Sequence, residues 1–303
     1  NPTGSMAEKV LITGGSGMVG RRLSAMLTEH GYEVSILTRA TSANIPYKQY
    51  IWDISKNEID PEAILNCNYI VHLAGAGITD KRWTTTRKGI ILDSRIKSAE
   101  LLLENVKKYN PNLKAFISSS GTGYYGAITS EKIYEETDAN GPDFAAQVCV
   151  EWEKSTFAFQ KFNIRSVALR TAIVICNEGG VTQRLKPIFN LGLGSALGSG
   201  NQYFPWIHTE DLCSMYLHVI KNENTSGAYN AAASDHKNNK EFSEAYAKSL
   251  NKGFWAPNVP AFILKIALGE MSEILLNGSR VSNKKILETG FEFKFSELEK
   301  ALS

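Results

Sequence analysis

The sequence is short of paired cysteines and of long apolar runs, and each absence excludes a class of protein. Its four cysteines lie far apart and form no CxxC pair, which argues against a disulfide framework and against a structural zinc site. No run of about 18 apolar residues occurs, and the start has no basic segment followed by an apolar one, so we expect neither a membrane span nor a secretory signal. These absences predict a cytoplasmic protein with reduced thiols and no metal.

An excess of either charge is also absent. The 303 residues include 33 Lys and Arg against 31 Asp and Glu, for a formal net charge of +2, and no dense basic run is present. This balance favours neither nucleic acid nor an anionic membrane as a partner. We expect a small-molecule ligand instead, bound by a chain whose 43% hydrophobic composition is sufficient for a substantial core.

From Lys9 onward, short β-branched runs alternate with longer amphipathic runs. This alternation is typical of an α/β fold in which helices cover both faces of a parallel sheet. The predicted strands span residues 10–13, 33–37, 69–73, 115–118 and 165–169, and the predicted helices span residues 17–30, 84–108 and 144–161.

The regular alternation ends near residue 175, where glycine and proline become frequent. We therefore divide the chain into a nucleotide-binding domain over residues 6–175 and a smaller substrate-covering α/β region over 176–303, with a short tail from about residue 254. The five residues before Met6 are set aside as an addition to the natural sequence. We expect the smaller region to pack on the carboxyl edge of the sheet, where open α/β sheets bind ligands.

The strongest local motif is Val10-Leu-Ile-Thr-Gly-Gly-Ser-Gly-Met-Val-Gly20, in which three glycines follow an apolar strand and open a helix. Gly14 is predicted to permit a tight turn, Gly17 to let backbone approach a pyrophosphate, and Gly20 to let the helix pack on the strand. The motif therefore predicts the dinucleotide site of a doubly wound Rossmann sheet, with a purely structural turn as the alternative. The other residues expected to contact the dinucleotide at this turn are Ser16, Met18 and Val19.

The residues after the second strand indicate which dinucleotide is bound. A site for NAD usually has Asp or Glu about 20 residues beyond the glycine motif, whereas this chain has Thr38 and Arg39. A guanidinium can hold a 2′-phosphate, so the pair favours NADP over NAD. The alternative is that Arg39 is an exposed loop residue. Asp53 is predicted either to meet the adenine amino group or to cap the following turn.

Motifs along essentially the whole chain resemble the extended short-chain dehydrogenase/reductase superfamily. More narrowly, they resemble its atypical "epimerase family" branch of NAD-dependent nucleotide-sugar epimerases, which has a short extra tail domain. The motifs are His72-Leu-Ala-Gly75, Arg82-Trp83, Ser94-Arg95, Ser118-Ser-Ser-Gly-Thr-Gly-Tyr-Tyr-Gly126, Trp152-Glu153, Leu169-Arg-Thr171 and Pro205-Trp-Ile-His208 with Asp211. The resemblance implies that Leu73, Ala74 and Gly75 lie beside the nicotinamide ribose. Ser118 and Arg95 are the further cofactor contacts expected with it. The Arg95 guanidinium can anchor an anion or amide near the cofactor, or it can instead be a structural ion-pair partner.

The superfamily's catalytic pair is absent. Such enzymes use a tyrosine with a lysine four residues later, and no tyrosine here is followed by lysine at that spacing. With Glu153 aligned to the acid that commonly follows the pair, Ala145 stands at the tyrosine position and Cys149 at the lysine position. Ser120 remains as the substrate-orienting hydroxyl. Tyr124 and Tyr125 are candidates for the missing phenol, with aromatic packing in a loop as the alternative.

Four further residues are candidate substrate contacts. Arg82 and Arg170 have guanidinium groups that can hold phosphate or carboxylate, although either can instead be an ion-pair partner. Cys149 is a candidate reactive thiol, or a small core residue. His208 is a candidate contact from a stretch whose Asp211 we expect to act as a helix cap or first-turn acid.

Together these observations predict an NADP(H)-dependent oxidoreductase or epimerase-like enzyme acting on a small polar, possibly nucleotide-linked substrate. The alternative is a non-catalytic NADP(H)-binding or sensor protein, because the cofactor motif is intact while the catalytic pair is missing. A weaker alternative is an interaction role for the tail, where Leu298 and Leu302 have helical spacing. Relatives often form dimers through helices at one sheet edge, so a homodimer also remains open.

Overall fold

The fold is built on twelve strands and eleven α-helices within the described residues, which are 6–75, 77–177 and 179–303 of a computed structural model. The segment before Met6 lies outside these ranges. The strands are β1 (Lys9–Thr13), β2 (Glu33–Thr38), β3 (Lys48–Asp53), β4 (Glu58–Ile59), β5 (Tyr69–His72), β6 (Ala115–Gly121), β7 (Ile133–Tyr134), β8 (Arg165–Thr171), β9 (Ile173–Cys176), β10 (Trp206–His208), β11 (Gly227–Ala231) and β12 (Arg280–Val281).

The helices are α1 (Met18–Glu29), α2 (Pro61–Leu65), α3 (Thr85–Tyr109), α4 (Phe144–Phe157), α5 (Gly180–Asn190), α6 (Thr209–Lys221), α7 (Asn239–Ser249), α8 (Ala261–Leu268), α9 (Glu273–Leu276), α10 (Lys284–Leu287) and α11 (Leu298–Leu302). Several of these helices are capped at their amino ends by a side chain. The Thr84 hydroxyl caps α3 by accepting from the backbone N–H of Arg87, and the Asp143 carboxylate caps α4 by accepting from that of Ala146. Across the described residues, none of these helices is both long and apolar enough to cross a membrane.

Eight strands form one sheet in the order β11-β8-β6-β5-β1-β2-β3-β4. All neighbours run parallel except β3 and β4, which are antiparallel. The order reverses between β1 and β5, and this switch point is where open α/β sheets bind ligands. The predicted α/β fold, a doubly wound parallel sheet with helices on both faces, is confirmed.

Alternation along the central strands sends side chains into two separate cores. Val10 and Ile12 face a core that also contains Leu23 and Leu27 of α1, whereas Leu11 faces a core on the opposite side of the sheet. That second core is completed by α3 residues, including Leu102, and by Phe159. Because each buried aliphatic side chain contributes roughly 1.5–3 kcal/mol, these two layers hold the strand ends in place.

The boundaries differ from the sequence prediction mainly at the helix expected over residues 144–161. Here α4 ends at Phe157, and a 3-10 helix continues over Ala158–Phe162. Asn163 then takes a left-handed backbone conformation with φ 61° and turns the chain into β8. The tightening in the last turn brings Phe159 onto Phe116, with the two rings stacked 3.9 Å apart.

The smaller region begins at the carboxyl edge of the large sheet. β9 starts two residues after β8 ends and pairs with β10, while β11 returns to the large sheet beside β8. A third core lies here, and Leu298 and Ala301 of α11 are buried in it. The tail helix therefore packs on its own chain.

Candidate functional site

The glycine turn between β1 and α1 has a different packing environment at each glycine. Gly14 has φ +70°, and a Cβ there would lie 2.9 Å from the backbone nitrogen of Ala74. A Cβ on Gly20 would overlap the carbonyl oxygen of Gly14. At Gly17 a Cβ would meet only one neighbour, at 3.4 Å, so this position leaves open space above the turn. Gly14 and Gly20 are thus required by the fold itself, and Gly17 is not.

The amino end of α1 carries the positive end of the helix dipole, and no side chain of the helix's first turn neutralises it. Its cap residue is Gly17, no side chain caps it, and its first turn contains no acid. The first amide groups of a helix lack intrahelical acceptors, so an anion is favoured at this position. Ser16 is exposed beside it, and Val19 is half-buried. Met18 packs against Gly179 and Gly180, which brings the smaller region to the edge of the turn.

The ends of β2 and β3 carry the residues predicted to meet the adenosine half of a dinucleotide. Arg39 is exposed and, within the described residues, forms no ion pair. The Thr38 hydroxyl donates to the carbonyl of Ala40 at 2.9 Å. Asp53 accepts from the Ser55 hydroxyl at 2.6 Å and from the backbone N–H of Lys56 at 3.3 Å. Asp53 therefore caps the following turn, which is the second of its two predicted roles.

A buried hydrogen-bond chain fixes the turn after β5. The Thr13 hydroxyl accepts from the backbone N–H groups of Leu73 and Ala74, at 3.0 and 3.1 Å, so its own proton is available for His72 Nδ1 at 2.7 Å. His72 Nε2 then donates to the Ser98 hydroxyl at 3.0 Å, which in turn donates to a backbone carbonyl of α3. Burial lowers the pKa of His72 to about 3, which keeps the ring neutral.

Arg95 lies on α3 against this same turn. It is 7% exposed, and its guanidinium carbon lies 3.2 Å from the position of a Cβ built on Gly75. The guanidinium stacks over the Trp152 ring at 4.5 Å and donates to the carbonyl of Ile91 at 3.1 Å. Ser118, the other cofactor contact implied by the resemblance, is fully buried and donates to the carbonyl of Ser119.

The face of α4 where a catalytic pair would lie is closed by small residues. Ala145 and Cys149 are 7% and 6% exposed. A Cβ built on Gly121 would lie 3.4 Å from Cys149 Sγ, and one built on Gly123 would lie 3.7 Å from Ala145 Cβ. Gly121 and Gly123 therefore lie directly opposite these two small residues, at distances where an added Cβ would be in ordinary van der Waals contact. Burial raises the pKa of the Cys149 thiol to about 12, which is the environment of a small core residue, the second of its two predicted roles.

Arg170, predicted either as an anion anchor or as an ion-pair partner, is paired with a buried carboxylate. It is 4% exposed, and two of its nitrogens donate to the two carboxylate oxygens of Glu153, each at 2.9 Å. Ser120 lies opposite Arg170 in the β6–β8 register and donates to the same carboxylate at 2.6 Å. Because the hydroxyl proton of Ser120 is donated to Glu153, the Ser120 oxygen can only accept hydrogen bonds from a further partner.

The two tyrosines after β6 have different environments. Tyr125 is 1% exposed, donates to the Asn230 side chain at 2.6 Å and accepts from Arg170 at 2.9 Å. Burial raises its pKa to about 12, and both of these contacts are internal, as in the aromatic packing that was its alternative role. Tyr124 is half-buried, its ring lies 3.5 Å from the Arg170 guanidinium carbon, and its hydroxyl has no hydrogen bond to the described residues.

The remaining substrate candidates both have structural partners. Arg82 donates to the carbonyls of Ile266 and Ala267 at 3.3 Å, at the carboxyl end of α8, so it joins the segment before α3 to the tail. His208 is the cap of α6: its Nδ1 accepts from the backbone N–H of Glu210 at 3.1 Å. The cap uses one ring nitrogen, and the substrate contact at His208 stays a prediction.

Sequence reasoning missed what Asp211 contacts and which residues surround Arg170. Asp211 is buried, and its two oxygens accept from the backbone N–H groups of Lys294 and Phe295. Asn230 and Glu136 complete the polar cluster under Tyr125. One signal was available: Arg170 directly follows the apolar run Val167-Ala-Leu169 of a buried strand, and a buried charge requires a partner.

Comparisons with known proteins agree with this geometry. A family model described as the NAD dependent epimerase/dehydratase family matches residues 10–232, and a domain of unknown function, DUF1731, matches residues 259–303. An epimerase family protein of Mycobacterium leprae is 34% identical over 298 residues, which are 97% of this chain and 94% of that protein. One from Staphylococcus aureus is 33% identical over 297 residues, which are 97% of this chain and 98% of that protein.

Solved structures show the same relationship. The human epimerase family protein SDR39U1, crystallised with NADPH, superposes with a TM-score of 0.85 at 28% identity, covering 97% of each chain. A nucleoside-diphosphate sugar epimerase from Corynebacterium glutamicum has a TM-score of 0.79 at 27% identity, covering 98% of this chain and 57% of that one. This chain therefore belongs to the NAD-dependent epimerase/dehydratase family, within the atypical epimerase-family branch of the short-chain dehydrogenases/reductases.

Proposed function

We propose that this protein binds NADP(H) across the carboxyl ends of the central strands and uses it as an oxidoreductase or epimerase-like enzyme on a small polar substrate, possibly nucleotide-linked. The observation that carries the proposal is the open, uncapped and acid-free start of α1 at Gly17. Arg39, which is exposed directly after β2, supports NADP because a guanidinium can hold a 2′-phosphate. The presence of NADPH in the human relative supports the same cofactor here.

For the chemistry we assign proton exchange to Tyr124. The bound cofactor would supply or accept a hydride, and a phenol near it would give a proton to the substrate oxygen or take one from it. Tyr124 is the half-buried tyrosine of this loop, whose hydroxyl makes no hydrogen bond to the described residues, and the Arg170 cation lies against its ring. Ser120 would accept a hydrogen bond from substrate or cofactor, because its proton goes to Glu153.

A second candidate function is non-catalytic NADP(H) binding. The specific observation in its favour is that Ala145 and Cys149 are buried at the tyrosine and lysine positions of α4, so this face presents neither a phenol nor an ammonium group. In this case the cofactor would be a structural or sensory ligand, and the tail and smaller region would respond to its presence.

Cofactor titrations test binding, with two glycine variants as a matched pair. Gly17→Ala should abolish NADPH binding with little change in melting temperature, because the added methyl enters open space that the pyrophosphate needs. Gly20→Ala should destabilise the fold itself, because its methyl would overlap backbone. Arg39→Ala should weaken NADPH binding roughly 10- to 100-fold and leave NADH unchanged. Equal affinity of the wild type for NADPH and NADH would contradict the NADP preference.

Turnover assays separate the two candidate functions. Wild type and Tyr124→Phe are incubated with NADPH and a panel of carbonyl compounds and nucleotide sugars. Turnover that falls by about 100-fold or more in Tyr124→Phe supports the enzymatic role, since a positioned acid or base typically contributes that much. Undiminished turnover in the variant removes Tyr124 from the reaction. No turnover on any substrate, with NADPH binding intact, favours the non-catalytic function.

A further inference from the structure

Helix α8 of the tail combines an apolar composition with an exposed position. Every residue of this helix, Ala261–Leu268, is apolar except Lys265. Even so, none of its residues is buried. A helix that is apolar on all sides is normally enclosed by the rest of its protein. The composition of α8 therefore indicates that a further surface covers it.

Spacing along α8 separates an inner face from an outer face. The half-buried residues recur every three or four positions and form the inner face: Ala261, Leu264 and Leu268. The outer face consists of Phe262, Ile263 and Ile266, which are 62%, 45% and 73% exposed. Apolar side chains thus point away from the protein as well as toward it.

Contacts with the nucleotide-binding domain hold α8 in place. Arg82 donates to the last carbonyls of the helix, and Lys88 of α3 pairs with Glu270, just after the helix, at 2.6 Å. A helix of two turns is not stable from its own propensity, so it depends on contacts of this kind. The outer face of α8 is therefore carried by a fixed helix rather than by a free segment.

Backbone pairing brings further exposed apolar residues to the start of α8. The N–H of Val259 donates to the carbonyl of Ala196 at 2.9 Å, and the N–H of Gly198 donates to the carbonyl of Val259 at 2.8 Å. The pairing is parallel, so both segments enter it from the same direction. The exposed residues on these entering segments are Leu191, Leu193 and Trp255, at 74%, 47% and 70%.

We call these six side chains the tail patch: Leu191, Leu193, Trp255, Phe262, Ile263 and Ile266. A fully exposed aromatic side chain has roughly 150–250 Å² of surface, and an aliphatic one somewhat less, so the patch presents on the order of 600 Å². One partner of a stable interface buries about 800 Å², of which about 65% is apolar in homodimers. The tail patch therefore supplies the apolar area that one face of a homodimer requires.

The absence of charge within the tail patch favours a second copy of this chain as the occupant. Lys265 is the single charge on α8, and it lies beside the outer face. An acidic or basic partner requires opposite charges on the surface that it contacts, and an anionic membrane requires a cluster of basic residues. An uncharged apolar face is instead complementary to itself, as an isologous two-fold interface requires.

We propose that the tail patch is the interface of a homodimer, in which the outer faces of α8 from two copies pack together across a two-fold axis. The tail, which the domain of unknown function matches over residues 259–303, then has the role of joining two copies. This interface is distinct from the sheet-edge helices through which relatives often form dimers. It does not depend on the proposed cofactor.

Sedimentation velocity between about 1 and 100 µM measures the dimer dissociation constant of wild type, Phe262→Glu and Ile266→Glu. Each variant should raise this constant about 100-fold or more, because two unpaired carboxylates would be buried at the interface. The matched control is Phe162→Glu, at the amino end of β8, where Phe162 is 41% exposed and Lys107 lies over its ring at 4.7 Å. The control should leave the constant within about twofold.

The melting temperature of each variant shows whether the fold is retained, and Trp255→Glu replaces any α8 variant that does not fold. A wild type that stays monomeric at 100 µM overturns the proposal, as does a dimer that persists in the folded variants. Flotation with vesicles of phosphatidylcholine and phosphatidylglycerol tests the other occupant. A monomer that binds these vesicles, and loses that binding in Phe262→Glu, overturns the second copy in favour of a membrane surface.

Discussion

Removing the carboxylate of Asp211 should loosen the tail from the rest of the chain. Asp211 lies in the first turn of α6 and is 1% exposed. One of its oxygens accepts from the backbone N–H of Lys294 at 2.8 Å, and the other accepts from that of Phe295 at 2.9 Å. Phe295 also stacks on the ring of His208 at 3.9 Å. Two elements more than eighty residues apart are therefore joined by one side chain.

The expected loss follows from these two contacts. A hydrogen bond to a charged group contributes about 1.5–3 kcal/mol, and two bonds made by one carboxylate are not fully additive. Asp211→Asn keeps one acceptor and turns an amide donor toward the other N–H, so we expect a loss of about 2–3 kcal/mol in the free energy of unfolding. At roughly 2.1 cal/mol/K per residue of unfolding entropy, this is a decrease of about 3–5 °C in melting temperature.

Urea unfolding followed by circular dichroism, with calorimetry for the melting temperature, measures this loss. The matched control is Glu210→Gln, one residue earlier in the same helix turn. Glu210 pairs with Arg22 at 2.9 Å, but the two side chains are 33% and 35% exposed, so its loss should be under about 1 kcal/mol. An Asp211→Asn value within about 0.5 kcal/mol of the control would refute the reasoning that the tail is anchored by this carboxylate.

Two further predictions concern titratable groups. Burial raises the pKa of Cys67, Cys149 and Cys213 to about 12, so at pH 8 only the half-buried Cys176 should react with a thiol reagent in the native protein. More than one fast-reacting thiol would contradict this. Burial also lowers the pKa of His72 to about 3, so the unfolded chain takes up a proton below about pH 6.5 that the folded chain does not. The contribution of His72 to the free energy of unfolding is therefore complete above pH 6.5. It should fall by about 2 kcal/mol between pH 7 and pH 5. Urea unfolding at both pH values should show a smaller fall for His72→Gln, and an equal fall would disprove the assignment.

The features predicted well from the sequence depend on local patterns. Alternating apolar residues, as in Val10, Leu11 and Ile12, direct side chains to opposite faces of a strand whatever lies elsewhere in the chain. The glycine motif is equally local, because a tight turn and a close helix approach are set by the backbone of about ten residues. The absence of a tyrosine and lysine pair is also visible directly in the sequence.

The chemical state of the candidate site depended on partners that are distant in the sequence. Ser120 was predicted as a substrate-orienting hydroxyl, but its proton is donated to Glu153, thirty-three residues later on α4. Arg170 joins the same cluster because β8 lies beside β6 in the sheet. No spacing rule predicts such a pairing, since it follows from strand order and register.

The sequence by itself determined four features: the alternation of strands and helices, the glycine turn, the presence of an arginine instead of a carboxylate after β2, and the absence of the catalytic tyrosine and lysine pair. These are properties of residue type and short-range spacing, which steric limits on the backbone convert directly into structure. Only the tertiary structure decided that Tyr125, Arg170 and His208 are held by internal partners. It also decided that Arg95 lies against the turn at Gly75, because burial and hydrogen-bond satisfaction are settled among elements that meet only when the chain is folded.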